Sequence, residues 1–149
     1  MQARYLVVAH ETVTNPELLK QVRVVREQEG EAEFVLLVPA TPVRHLLFRR
    51  GDERDADVAA RKLADRARTL FAKRGVPLSD VRVGAPDPIE AIDGEMELNP
   101  GYAGFIISTL PEEKSRWLRM DLPRSVGSKY GLPVHHVVAA QDYTLGDLP

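Results

Sequence analysis

One stretch of the chain, residues 104–138, constrains the fold more than any other. Its apolar run at residues 105–107 is short, rich in β-branched side chains and followed by two hydroxyl residues, a profile typical of a central strand in a parallel sheet. Residues 121–123, Asp-Leu-Pro, then indicate a helix that begins with an Asx N-cap and a proline in its first turn. Gly131 is expected to end this helix, and Pro133 to open a second strand, where a missing N–H is tolerated.

The rest of the chain repeats this alternation of strands and helices. Apolar runs predict buried strands at residues 5–9, 34–38 and 81–83. Apolar periodicity and capping signals predict helices, caps included, at residues 15–30, 54–74, 87–99 and 115–120. Strands and helices that alternate in this way predict a parallel sheet with right-handed crossovers.

Length and composition predict a single domain over residues 1–140, followed by a polar tail at residues 141–149. The chain of 149 residues contains no cysteine, which excludes a disulfide scaffold, a thiolate metal site and a cysteine nucleophile. Its formal net charge of −2 argues against binding to nucleic acid or to an anionic membrane. Neither a signal-peptide core nor an apolar run long enough for a membrane span is present, so a cytoplasmic location is expected.

The order of elements after Gly104 resembles the C-terminal signature of the universal stress protein family. That signature consists of a strand, G-x-x-G, nine residues, G-[S/T], a helix and P-V-x-x-V-V. Here Ser108 and Pro111 stand at the first two glycine positions, nine residues follow, and Asp121-Leu122 replaces the Gly-Ser pair. The resemblance implies a three-layer α/β/α fold with a five-stranded parallel sheet in the order 3-2-1-4-5 and two helices on each side.

That strand order would place a ligand site between the strand ending at Ala9 and the strand ending at Ser108, because the direction of the connections reverses there. In the ATP-binding members of the family, an Asp after the first strand helps to hold the adenosine, and His10 takes its place in this chain. The candidate nucleotide- or anion-binding residues are Ala9, His10, Val38, Ser108, Thr109, Ser115, Arg116 and Arg119.

Two departures from the signature predict weakened or lost ATP binding. Pro111 lacks the N–H that a phosphate loop uses, and the Asp121 carboxylate competes with phosphate for a helix N-terminus. No cofactor is certain, and ATP or another adenine nucleotide is expected only as a weak ligand. A small anionic ligand remains a second option, since Lys114, Arg116, Arg119 and Arg124 either bind it or are simply solvated.

The histidines and serines give no support to a metal site or a hydrolase. His135 and His136 are adjacent in a predicted strand, so they face opposite sides and cannot chelate one ion together. The chain has no G-x-S-x-G elbow, and Trp117 is expected to be a core anchor.

The loop at residues 41–52 is either a surface insertion or a lid over a ligand site. The pKa of His10 is expected below about 6.5 because of the basic loop beside it.

These observations favour a non-catalytic binding or signalling module, as the resemblance to stress-response proteins implies. One alternative is an enzyme of the wider nucleotide-binding α/β group that acts on a phosphorylated small molecule, and another is a purely structural dimerisation domain.

The last strand is an apolar edge, and in the family it commonly pairs across a two-fold axis. We therefore expect a homodimer with its axis near Val137, unless the tail shields the edge. The predicted interface residues are Val134, His135, His136, Val137 and Val138.

Overall fold

The protein was analysed as a computed structural model, which describes residues 2–41, 52–111 and 115–139, and no side chains at residues 52 and 53. Five parallel strands form one sheet in the order β3-β2-β1-β4-β5, which confirms the predicted topology. The strands are β1 (Arg4–Val8), β2 (Glu33–Pro39), β3 (Asp80–Gly84), β4 (Gly104–Thr109) and β5 (Val134–Val138). Lys114, the tail and nearly all of the predicted lid or insertion at residues 41–52 lie outside the described residues.

Helices cover both faces of the sheet and give the three layers that were predicted. The helices are α1 (Pro16–Glu29), α2 (Asp52–Lys73), α3 (Pro88–Leu98), α4 (Arg116–Arg119) and α5 (Leu122–Tyr130). One apolar core joins the sheet to α1 and α2, and the other joins it to α3, α4 and α5. Trp117 of α4 is buried in the second core, as expected for an anchor. Within the described part of the chain, every helix is too short or too polar to cross a bilayer.

Two helices begin as the capping signals predicted. The side chain of Asn15 accepts a hydrogen bond from the N–H of Glu17 at 2.9 Å, and the side chain of Asp87 accepts one from the N–H of Ile89 at 2.8 Å. In both cases a proline occupies the first turn, where its missing N–H leaves no hydrogen bond unmade. These caps set the points at which the chain leaves the sheet to form α1 and α3.

The predicted Asx cap at Asp121 is wrong. Asp121 adopts a left-handed backbone conformation, with φ 53° and ψ 45°, and its side chain does not cap α5. The sharp turn between α4 and α5 requires this conformation, in which Asp is tolerated better than most residues with a Cβ. The carboxylate lies instead 3.6 Å from the guanidinium of Arg124. Among the described residues, Asp121 is the one non-glycine residue with a positive φ.

The edge strand β5 alternates between core and surface. Val137 is buried in the core beneath α1, whereas Val138 is 43% exposed. His135 and His136 face opposite sides, as predicted: His135 lies beside Gln21 of α1, and His136 contacts Thr109 on the other face. Substitutions that test pairing at this edge should therefore be made at Val138, because a charge at Val137 would enter the core.

Charged and polar side chains form a network at the amino edge of the sheet, where the strands begin. The carboxylate of Glu95 is buried and accepts hydrogen bonds from the Tyr102 hydroxyl at 2.7 Å and from the Asn99 side chain at 3.1 Å. The guanidinium of Arg82 lies 3.0 Å from the same carboxylate. Arg4 stacks over the Tyr102 ring, 4.3 Å from its centroid, and also donates a hydrogen bond to the carbonyl of Asn99. Together these contacts fix the turn that leads into β4.

Candidate ligand-binding site

The candidate site lies at the carboxyl edge of the sheet, beyond the ends of β1 and β4. These two strands are neighbours, and the chain runs outward from them in opposite directions, to β2 and β3 on one side and to β5 on the other. Such a reversal leaves a crevice between the connecting loops, which is where doubly wound proteins bind ligands. The loop after β1 and the last two residues of β4 supply buried polar side chains here, namely His10, Thr12, Thr14, Asn15, Ser108 and Thr109.

A hydroxyl pair connects the two sides of this crevice. The Oγ1 atom of Thr12 lies 2.6 Å from the Oγ atom of Ser108, and both residues are buried. Either hydroxyl can donate, so the pair also has a free lone pair or hydrogen for a third group. Ser108 was predicted at this site, whereas Thr12 was not. Because 96 positions separate the two residues, only the register between β1 and β4 reveals their contact.

His10 also has spare hydrogen-bonding capacity at the site. It is 8% exposed, and its Nε2 atom is buried without a hydrogen-bond partner among the described residues. Burial lowers the pKa of His10 to about 4, so the ring is neutral at neutral pH. The direction of this shift is the one expected, but the cause is desolvation rather than the basic loop. A neutral imidazole can donate to or accept from a bound molecule.

Thr109 lies on the opposite face of β4 from Ser108, because successive side chains in a strand alternate. Its hydroxyl is 2.8 Å from the Nε2 atom of His136 on the edge strand. Partial burial lowers the pKa of His136 as well. The structure therefore connects Thr109 to β5 and places it apart from the pair formed by Thr12 and Ser108.

Three of the other candidates lie at the turn around α4. Ser115 is buried, and its Oγ atom accepts a hydrogen bond from the N–H of Leu118 at 3.1 Å, so it caps α4. Arg116 and Arg119 are exposed and form no ion pair with the residues that the structure describes. Their guanidinium groups are thus available to solvent, whereas the hydroxyl of Ser115 is already used.

The last two candidates belong to the frame of the site. Ala9 is buried, and its N–H donates to the carbonyl of Leu37 at 3.3 Å. Val38 is fully buried in the apolar core beneath α1 and α2. Both residues position the ends of β1 and β2 through backbone pairing and packing. In the described ranges, no three His, Asp or Glu side chains gather closely enough to hold a metal ion.

Fold and site together define a doubly wound α/β protein with buried polar side chains at its topological switch point. No family model and no curated protein sequence matches the chain. Among solved structures, a universal stress protein from Archaeoglobus fulgidus is similar with a TM-score of 0.60 and 12% identity, over 92% of this chain and 94% of that chain.

Two further structures carry a nucleotide. The universal stress protein from Archaeoglobus fulgidus in complex with dAMP gives a TM-score of 0.52 at 9% identity, over 94% of this chain and 98% of that chain. A universal stress protein in complex with cAMP gives 0.52 at 11% identity, over 93% and 98%. The protein therefore has a divergent universal stress protein-like fold, as the sequence predicted.

Proposed function

We propose that this protein is a non-catalytic binding or signalling module that takes a small molecule of the adenine nucleotide class in the crevice between β1 and β4. The observation that carries the proposal is the buried Nε2 atom of His10, which lacks a partner among the described residues at the switch point of the sheet. Buried polar atoms in native proteins are nearly always hydrogen-bonded, so such an atom at such a place suggests a missing ligand. Similar folds bind dAMP and cAMP, which supports the class.

The polar groups of the crevice favour binding over catalysis. An enzyme would need a nucleophile activated by a base, or a base within reach of the substrate. Here the hydroxyls of Thr12 and Ser108 bond to each other, and the Nε2 atom of His10 is bonded to neither of them. An enzyme that acts on a phosphorylated molecule remains the rival, and turnover of any nucleotide by the purified protein would favour it.

We also propose that ATP binds weakly. Pro111 offers no N–H to a phosphate, and the Asp121 carboxylate stands at the N-terminus of α5, where a phosphate would otherwise be stabilised. We expect calorimetry to give a dissociation constant for ATP above about 100 μM, equivalent to a binding free energy of less than about 5.5 kcal/mol. The double variant Pro111→Gly and Asp121→Gly should bind more tightly, and a low-micromolar constant for the unmodified protein would contradict the proposal.

A homodimer formed through β5 completes the proposal. The two edges of the sheet differ: β3 carries the ion pair between Asp80 and Arg82, at 3.1 Å, whereas β5 exposes Val138 and His136. Charges on an edge strand disfavour pairing with another chain, so β5 is the edge suited to a second copy. With Val137 in the core, His136 is the histidine that would approach its symmetry mate.

Light scattering distinguishes dimer from monomer. The mass of one chain is 16.6 kDa, so a dimer should have about twice that mass. Val138→Lys should yield monomers, whereas Val58→Lys, on the exposed side of α2, should leave the mass unchanged. A monomeric unmodified protein at tens of micromolar would reject the dimer without affecting the ligand proposal.

A further inference from the structure

The N-termini of the helices bring capping and acidic side chains to the carboxyl edge of the sheet. Helices that connect parallel strands run back across the sheet, so their N-termini and free N–H groups point toward this edge, where they commonly hold anions. In this protein, side chains of the chain itself already accept hydrogen bonds from those groups. The caps that do so are Asn15 on α1, Asp87 on α3 and Ser115 on α4.

Acidic side chains add negative charge at the same helix ends. Glu17 lies in the first turn of α1 and Glu90 in the first turn of α3. At α5 the carboxylate of Asp121 stands at the N-terminus, 3.6 Å from Arg124. Glu17 and Asp121 belong to α1 and α5, the helices that follow β1 and β4 in the chain, and they occupy the favourable ends of those helix dipoles. A phosphate bound there would therefore meet repulsion where it normally meets attraction.

Among the residues that the structure describes, the buried polar side chains at the crevice carry no charge. Thr12 and Ser108 contribute hydroxyls, and the buried ring of His10 is neutral at neutral pH. Hydroxyls and a neutral imidazole are suited to the hydroxyls and ring nitrogens of an uncharged ligand. Arg116 and Arg119 are exposed cations among the described residues that would act against this pattern, and the experiment below includes them.

We propose that the crevice selects against phosphate, so that within the adenine series the uncharged nucleoside adenosine is its preferred occupant and each phosphate lowers the affinity. This inference rests on the proposed function, since it concerns the same crevice. It differs from a simple loss of the phosphate loop. If only hydrogen-bond donors were lost, an added phosphate would leave the binding affinity unchanged, whereas the acidic helix ends make each added phosphate lower it.

A series of adenosine, AMP, ADP and ATP tests the inference by calorimetry on the full chain. We expect adenosine to bind most tightly, with affinity falling about two- to fivefold for each added phosphate, the range that follows from charges at helix ends. Salt should strengthen AMP binding by screening the repulsion and leave adenosine binding unchanged. Affinity that is constant or rises along the series, or AMP binding that weakens with salt, would overturn the inference but leave the proposed function intact. Binding of none of the four compounds would reject the proposed function itself.

Matched variants locate the charge responsible. Asp121→Asn keeps a side chain that tolerates the left-handed backbone, and it should raise AMP affinity about two- to fivefold without changing adenosine affinity. Glu17→Gln removes the charge from the first turn of α1 and provides a second measurement of the same kind. Glu27→Gln makes an equal charge change at the opposite end of α1 and should alter neither ligand. If Arg116→Gln with Arg119→Gln weakens AMP but not adenosine, the arginines bind phosphate and the inference is wrong.

Discussion

The two ends of the same sheet differ in the charge and in the hydrogen bonding of their buried polar groups. At the amino edge, the buried carboxylate of Glu95 has three partners, and the surrounding charges are paired or stacked. At the carboxyl edge, the buried groups are neutral, and one of them, Nε2 of His10, has no partner among the described residues. The Nε atoms of Arg4 and Arg82 are also buried without a hydrogen bond to any described residue, so the difference lies in the partners of the central group. A buried carboxylate with three partners fixes the loops that it joins, whereas a buried imidazole nitrogen without one, beside the switch point of the sheet, is suited to a ligand. The contrast separates the end that holds the fold from the end proposed to bind.

Breaking the network at the amino edge should have the largest effect on stability. Glu95→Ala leaves the Tyr102 hydroxyl and the Arg82 guanidinium without their shared acceptor, and we expect the free energy of unfolding to fall by about 3 kcal/mol. Urea denaturation measures the loss. Glu97→Ala, on the exposed side of the same helix, should change the stability by less than about 0.5 kcal/mol. A similar small loss for both variants would show that the network contributes little.

Acid should weaken the carboxyl edge through His10. Its pKa is about 4 in the folded protein and about 6.5 in an unfolded chain, so between these values the unfolded chain takes up a proton that the folded protein does not. Stability should therefore decrease as the pH falls through this window, by about 2 kcal/mol from about pH 7 to about pH 5. His10→Gln should lack this part of the pH dependence. Parallel curves for the two proteins would mean that His10 titrates normally.

The hydroxyl pair at the carboxyl edge should contribute less. Thr12→Val preserves the shape of the side chain but leaves the buried hydroxyl of Ser108 without its partner, so we expect a loss of about 1.5 kcal/mol in thermal or urea unfolding. Ser108→Ala alone should cost a similar amount. The double variant should be less destabilised than the sum of the single variants, because the penalty for an unsatisfied partner is then absent. Strict additivity would argue against a direct bond.

The smallest effect is expected at Asp121, and it should be a gain. Glycine adopts a left-handed backbone without the cost that a Cβ brings, so Asp121→Gly should stabilise the protein by about 0.5 kcal/mol, after allowance for the greater freedom of glycine in the unfolded chain. Asp57→Gly is the control, since a glycine within α2 should destabilise the protein by about 1 kcal/mol. A loss at both positions would show that the exposed ion pair with Arg124 outweighs the backbone strain.

Features set by local chemistry were predictable from the sequence. The caps of α1 and α3 depend on neighbouring residues, Asn15-Pro16 and Asp87-Pro88, and both formed as expected. Strand positions followed from apolar runs, and the resemblance supplied the strand order that the structure shows. At Asp121 the same local reasoning failed, because the turn from α4 into α5 determines its backbone rather than its preference for capping.

Features that depend on distant contacts were not predictable from the sequence. Thr12 meets Ser108 only because β1 and β4 are neighbours in a particular register. The cause of the low pKa of His10 depends on how deeply the ring is buried, which no motif indicates. The alternation of side chains along β5 was evident from the sequence. Which of the two alternating sets faces the core was not, and this decides whether Val137 or Val138 is exposed.

The bond between Thr109 and His136 has a thermodynamic consequence. Thr109 ends the strand beside the crevice, and His136 lies on the edge strand, so one hydroxyl connects two surfaces of the molecule. If the Thr109 hydroxyl donates to His136, a ligand that needs the same proton would compete with His136 for it. Likewise, a second chain that displaced His136 at the edge strand would free the Thr109 hydroxyl for another hydrogen bond. By reciprocity, if a bound ligand changes the dimerisation constant by some factor, dimerisation changes the ligand affinity by the same factor. The affinity measured for a ligand would then depend on protein concentration.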